Sequence, residues 1–297
     1  MTPKVYLPVV MSPGRLFDAS LGAQIEGDVA AQVKWMADNR AGQWPLHWSK
    51  VELTHGEYTW PKLYDSNAAA LAGYEQIITV KGTPAWARLW DDVGSPPAAH
   101  YYPDCKRFIQ AVQARYNPKA IEFMNEANCE KGQGSPDFYG AWKWPTESWY
   151  QAGRRYGEAV AAIYPGLGSK LLAGALMAND GMVDFLRGAV DAGMDCDAVS
   201  YHCYIRAPEQ YTRILELAGQ ISALTDKRLV VTETSLLGSE DTEELRTWQA
   251  EYLRLLISCA GHDGIELINW YDLAIGFDNG ALVRHGQPTP VYEVWAA

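Results

Sequence analysis

The sequence predicts an α/β fold, a single (β/α)8 TIM barrel over residues 1–297. Three observations predict it. Short β-branched runs alternate with longer amphipathic stretches, the pattern of βαβ units around a parallel sheet. The alternation yields eight strand–helix pairs, and about 250 residues is the usual size of such a barrel. The first strand is followed by LGAQIEGDVA without a GxGxxG, so the phosphate loop that doubly wound sheets usually carry is missing.

Taken in order, the first strand is expected near Leu21–Ile25 with a helix around Asp28–Asn39. The second lies near Trp44–Trp48, and after the turn HGEYTW a helix runs around Pro61–Ala72. Gln76–Val80 is the third, with a helix at Pro103–Tyr116. Ala120–Met124 is the fourth, followed by a long loop and a helix at Thr146–Tyr164. Lys170–Ala173 precedes a helix at Met182–Ala192, and Ala198–Tyr201 precedes one at Pro208–Leu224. Arg228–Thr232 leads to the helix Thr242–Cys259, and Ile265–Asn269 is the eighth strand, with Pro290–Ala297 closing the last helix. No linker or internal repeat divides the chain. Residues 1–18 are read as a short N-terminal extension covering one end of the barrel.

Composition narrows the partners. A net charge of −11 leaves no basic stripe to neutralise phosphates, which argues against nucleic acid and anionic membranes. No window is long and apolar enough to span a bilayer. The start MTPKVYLPVVMSPGRLF lacks a basic n-region and a small-residue cleavage site. Secretion is therefore expected only if a leader has been removed, and a cytoplasmic location otherwise. The five cysteines are odd in number and form no CxxC pair, so neither a disulfide framework nor a zinc site is expected. At most one bridge is foreseen, Cys129 with Cys203 if both lie on the same rim. A monomer is expected.

In such a barrel the reactive groups stand at the C-terminal ends of strands. Glu126 ends the fourth strand in IEFMNEAN, and Glu233 ends the seventh in LVVTET, 107 positions later. That distance is three repeats of about 36 residues, a reasonable length for one βα unit. A lone rim glutamate is more often just solvated. Two of them, each ending an apolar strand, fit the cleavage of a glycosidic bond with retention. That reaction needs one carboxylic acid to protonate the leaving oxygen and one carboxylate about 5–5.5 Å away to attack the anomeric carbon. Such proximity disfavours double ionisation and raises the pKa of the acid.

The segment EFMNEAN resembles the E-x-W-N-E-P-N stretch of clan A glycoside hydrolases, and VVTET resembles their nucleophile segment on strand seven. The likeness extends through WSKVELTHGEYTWPKLYD, VKGTPAWA, VSYHCY and LVRHGQPTPVYEVW, nearly the whole chain and in the same order. The resemblance implies Glu126 as acid/base, Glu233 as nucleophile and Asn125 as a hydrogen-bond partner of the sugar 2-hydroxyl. It implies a substrate contact for His202 and a hydrogen bond from Tyr204 to Glu233. Glu122 would point into the mouth and support the pair, with Asn128 beside it. The chain departs from the pattern at Met124, usually Trp, and at Ala127, usually Pro. AGQWPLHW also lacks the strand-two arginine of many members. His47 or His202 is the expected partial replacement.

Twelve tryptophans suit a cleft in which aromatic faces stack on sugar rings. Trp48, Trp86 and Trp270 fall at strand ends and are expected to line the mouth. Trp142, Trp144 and Trp149 lie in or beside the loop Ala127–Pro145, expected to form one wall. His47, His55, His100, His262 and His285 show no metal-ligand spacing, so no metal and no cofactor is expected. No GxSxG elbow supports a serine nucleophile. The expectation is a retaining hydrolase of β-linked oligo- or polysaccharides. The alternatives are a catalytically silent carbohydrate-binding barrel and a transglycosylase using the same glutamates.

Overall fold

The structure, a computed structural model, describes residues 15–131, 140–260, 264–271, 273, 280–284 and 286–297. Its centre is a closed parallel barrel, β1 (Leu21–Gln24), β2 (Ala41–His47), β3 (Glu75–Lys81), β4 (Ala120–Phe123), β5 (Lys170–Leu176), β6 (Ala198–Ile205), β7 (Arg228–Leu236) and β8 (Ile265–Trp270), in chain order. Leu21 of β1 pairs with Ile268 of β8 and closes the ring. The helices are α1 (Val29–Gln32), α2 (Trp48–Val51), α3 (Lys62–Ala70), α4 (Tyr102–Tyr116), α5 (Trp149–Ile163), α6 (Met182–Asp191), α7 (Arg213–Ser222), α8 (Glu243–Cys259) and α9 (Pro290–Ala296). No helix among the described residues is long and apolar enough to cross a membrane.

Local chemistry explains where helices begin. Ser148 and Gln151 form a reciprocal capping box at α5, and Thr242 accepts from the Leu245 N–H at α8. Several expected bounds need correction, β5 among them, which runs on to Leu176. The first helix shrinks to α1 and a 3-10 turn over Val33–Trp35, and the left-handed Asn39 (φ 58°) then feeds β2. β6 and β7 run on to Ile205 and Leu236 because they stay paired with each other to their ends. Their polar residues therefore lie within strands, not beyond them.

Alternate residues of each strand face the barrel interior. The floor is apolar: Ile77, Leu172, Val230 and Leu267 cluster with Leu16 and Phe17 of the incoming chain. Two positions further along, Gln43, Thr79, Glu122, Ser200, Thr232 and Asn269 form a buried polar layer. Gln43 bridges it, its Nε2 donating to Thr79 Oγ1 at 2.9 Å and Glu122 Oε2 at 3.2 Å, while its Oε1 accepts from Asn269 Nδ2 at 2.6 Å. The mouth lies above this layer. Outside the wall, a second core packs strands against helices, with Trp142, Tyr156 and Phe185 among its fully buried side chains. All five cysteines are buried and free, so the Cys129–Cys203 bridge is not formed.

Candidate active site

β4 stops at Phe123, and Met124 (φ 63°) and Glu126 (φ 49°) then adopt left-handed conformations. For residues other than glycine this costs about 1–2 kcal/mol each, strain of a kind that collects at functional sites. The turn carries Glu126 up to the mouth. Glu122 does not follow. Contrary to the expectation that it faces the mouth, it sits fully buried in the polar layer below, and burial raises its pKa. It accepts from Thr79 and Gln43 there.

Glu233 lies inside β7, three residues before the strand ends at Leu236. A register shift between Tyr201 and His202 sets His202 directly opposite it. His202 Nδ1 is 2.8 Å from Glu126 Oε1 and 3.4 Å from Glu233 Oε2, and all three side chains are buried. One carboxylate oxygen from each glutamate and the imidazole nitrogen lie within 4.8 Å of one another. The Tyr204 hydroxyl donates to Glu233 Oε2 at 2.5 Å. Sequence-predicted partners are thus brought together from β4, β6 and β7.

Burial pushes the Glu233 carboxyl up, and the cationic imidazole of His202 opposes it. The Glu126 charge pushes Glu233 up further, and the Tyr204 hydrogen bond pulls it down. For His202, burial favours the neutral ring, but Glu233 and Glu126 outweigh it and push the pKa up to about 9. The ring is therefore an imidazolium at neutral pH. It could serve a metal only by losing that proton, and the same two carboxylates that would ligate the ion hold the proton in place.

His47 does not share this role. Burial, with Lys81 and Lys50 nearby, pushes it down to about 3, so it stays neutral and cannot supply the missing positive charge. Asn125 is buried between the two left-handed residues, and its carbonyl accepts from the Gly140 N–H at 2.6 Å. Asn128 ties the end of β4 to the chain after β5. It pairs with Met177 through both amide atoms, Nδ2 to O at 2.7 Å and N–H to Oδ1 at 2.8 Å.

The tryptophan expectations divide. Trp48 is fully buried, stacks on Phe108 of α4 at 5.5 Å and donates its N–H to Glu52, so it does not line the mouth. Trp270 is also buried. Its neighbour Asn269 faces inward, so Trp270 faces outward against Tyr252 of α8, at 6.1 Å. Trp86 stays half-buried on the rim, stacked on His55 at 4.2 Å. Trp142 packs between Phe123 and Tyr156 in the core. Trp144 is exposed and meets Trp90 edge-on at 5.2 Å. Part of the loop expected to form a wall, residues 132–139, lies outside the described residues, as do His262 and His285.

Three residues were missed. Tyr271 meets Tyr204 edge-on at 5.7 Å, on the inward side that the Leu267–Asn269 alternation assigns to it. Lys81 continues the inward series Ile77–Thr79 and is buried beside His47. Glu26 accepts from Gln24 at 2.9 Å, and its charge adds to the upward push on Glu233. Period-two counting along each strand would have found all three. Two surface clefts of about 550 and 710 Å³ lie at the other end of the barrel, around Asn117 and Gly168. The larger contains the Glu75–Lys119 ion pair, whose charges already satisfy each other. The glutamate pair is the stronger candidate, because among the described residues two buried carboxyls converge there on a single cation, His202.

No protein-family model and no curated protein sequence matches this chain. Solved structures do. A family 39 β-xylosidase from Caulobacter crescentus superposes with a TM-score of 0.66 at 19% identity, covering 95% of this chain and 70% of that one. The catalytic domain of a family 53 enzyme from Ignisphaera aggregans gives 0.61 at 18% identity, covering 99% of each. A family 39 glycoside hydrolase from Bacteroides cellulosilyticus gives 0.64 at 17% identity over 95% of this chain. This chain spans only 63% of that protein's length. At such identities the likeness is one of architecture: the chain has the closed (β/α)8 barrel fold that these glycoside hydrolases share.

Proposed function

We propose that this protein is a retaining glycoside hydrolase acting on β-linked sugars, with Glu233 as nucleophile and Glu126 as acid/base. One observation carries the reading. Carboxylate oxygens of the two residues approach within 4.8 Å. That suits direct attack on the anomeric carbon, whereas an inverting pair stands about 6.5–9.5 Å apart to admit a water.

In this reading Glu126, carrying its proton, delivers it to the glycosidic oxygen as Glu233 attacks the anomeric carbon from the opposite face. The leaving sugar departs, a covalent glycosyl-enzyme forms, and Glu126, now ionised, takes a proton from the water that releases it. Tyr204 holds Glu233 Oε2, which orients the nucleophile and favours its ionised form. His202 lies between the two carboxylates as a cation and, from β6, supplies the positive charge that the strand-two sequence lacks. Asn125 is assigned to the 2-hydroxyl of the cleaved ring, and the half-buried Trp86 to sugar stacking at the rim. No metal or cofactor is assigned a step.

The similar proteins include a β-xylosidase and an endo-β-1,4-xylanase by name, which supports β-glycosides as the substrate class. The decisive assay uses activated aryl β-glycosides. Glu233→Gln is expected to lose turnover by about 10³-fold or more, the scale on which nucleophile losses are measured. Glu126→Ala should regain rate with azide and yield a β-glycosyl azide. Full activity in either variant would refute the assignment, while binding of glycans by the wild type without turnover would favour a silent carbohydrate-binding barrel.

A further inference from the structure

β5 contains a bulge. Its pairing with β6 shifts register between Ala173 and Leu176, and the two residues between them are left-handed, Gly174 at φ 119° and Ala175 at φ 40°. Bulges remove backbone groups from the ladder and re-aim the chain, and they are common beside active sites. Here each displaced group has a specific partner. The Ala175 N–H donates to Ser200 Oγ at 2.8 Å. The Gly174 N–H donates to the Tyr156 hydroxyl at 2.7 Å, and that hydroxyl donates in turn to Phe123 O at 2.8 Å. Phe123 is the last residue of β4 before the left-handed turn. The Ala175 carbonyl, turned out by the bulge, accepts the Glu126 N–H at 3.0 Å.

Strained backbone persists only where its surroundings over-determine it. The turn that presents Glu126 is held on both sides by these contacts: Tyr156 grips its entrance at Phe123, and Ala175 grips Glu126 itself. Ser200 and Tyr156 are fully buried, on β6 and α5, and lie behind the backbone of Glu126. We propose that Ser200 and Tyr156 are positioning residues for general acid catalysis, acting on Glu126 through the β5 bulge. This inference rests on Glu126 being the acid/base. Removing the Ser200 hydroxyl leaves the buried Ala175 N–H without an acceptor. The bulge then relaxes, and the Glu126 carboxyl drifts from the glycosidic oxygen. Misplacement of a reacting group by about 1 Å costs on the order of 100-fold.

The test compares kcat/KM, which reports the first chemical step, for phenyl and dinitrophenyl β-glycosides of the same sugar. A dinitrophenolate leaves without a proton, whereas a phenolate of ordinary basicity needs one. Ser200→Ala and Tyr156→Phe should lose roughly 10–100-fold on the phenyl glycoside and little on the dinitrophenyl glycoside. Ser200→Cys, whose sulfur is a weak acceptor, should fall between Ser200→Ala and wild type, and it carries the same test if Ser200→Ala does not fold. Equal losses on both glycosides in folded variants, or no loss on either, would overturn the proposal. Glu126→Ala is run alongside. If it shows the leaving-group dependence and the other variants do not, only the positioning role falls; if it too lacks the dependence, the acid/base reading falls and this inference with it.

Discussion

At the scale of single residues, His202 decides how the pair can work. Two buried carboxyls this close would resist ionisation together. An imidazolium whose Nδ1 reaches both, at 2.8 and 3.4 Å, supplies the positive charge that the strand-two sequence lacks. The sign of its removal follows. His202 pulls the Glu233 pKa down against burial, so His202→Gln should let it rise. Less Glu233 is then ionised at a given pH, and the acidic limb of kcat/KM should move to higher pH, by about one unit or more for a charge at this distance. The pH–rate profile of the variant checks this. An unmoved limb, or one displaced to lower pH, would show that His202 does not support the nucleophile. Part of this site is legible in the sequence: strand position and spacing mark Glu126 and Glu233, and the resemblance points to His202 and Tyr204. The pKa balance was not legible. It depends on which oxygen meets which nitrogen across three strands, and nothing in the sequence says that burial and the Glu126 charge push Glu233 up while His202 and Tyr204 pull it down.

At the scale of elements, strand position is legible in the sequence and side-chain direction is not. Each strand was placed, yet Trp48 and Trp270 were turned the wrong way. A tryptophan at a strand end faces the mouth only if its parity matches the inward residues, and Asn269 already occupied that parity on β8. The β5 bulge was equally hidden, since nothing in LLAGAL says which strand must yield where β4 turns. The α5–α6 contact shows the same limit. A Cβ on Gly157 would lie 2.2 Å from Ala189 O, and one on Gly153 would lie 1.9 Å from Phe185 O, so these helices touch backbone to backbone. In a free helix interior Gly→Ala stabilises by about 1 kcal/mol. Here Gly157→Ala should do the opposite, forcing the helices apart at a cost of about 1–3 kcal/mol. The urea midpoint of the variant measures it, and a rise in midpoint would mean that the helices can separate freely.

At the scale of the whole molecule, the barrel interior is stacked by chemistry: an apolar floor sealed by Leu16 and Phe17, a polar layer bridged by Gln43, and the carboxyl pair above. The floor and wall supply burial. The polar layer gives Glu122 partners below the pair without placing it in the mouth. The (β/α)8 class was readable from alternation and length because its repeats are local, while the layering is not, since it joins residues as distant as Gln43 and Asn269. The most direct test of the proposed reaction is covalent. Incubation with a 2-fluoro β-glycoside bearing a dinitrophenyl leaving group should trap the glycosyl-enzyme, and peptide mass spectrometry should place a single sugar on Glu233. A sugar found on another residue, or turnover to an α-configured first product with no adduct, would contradict it.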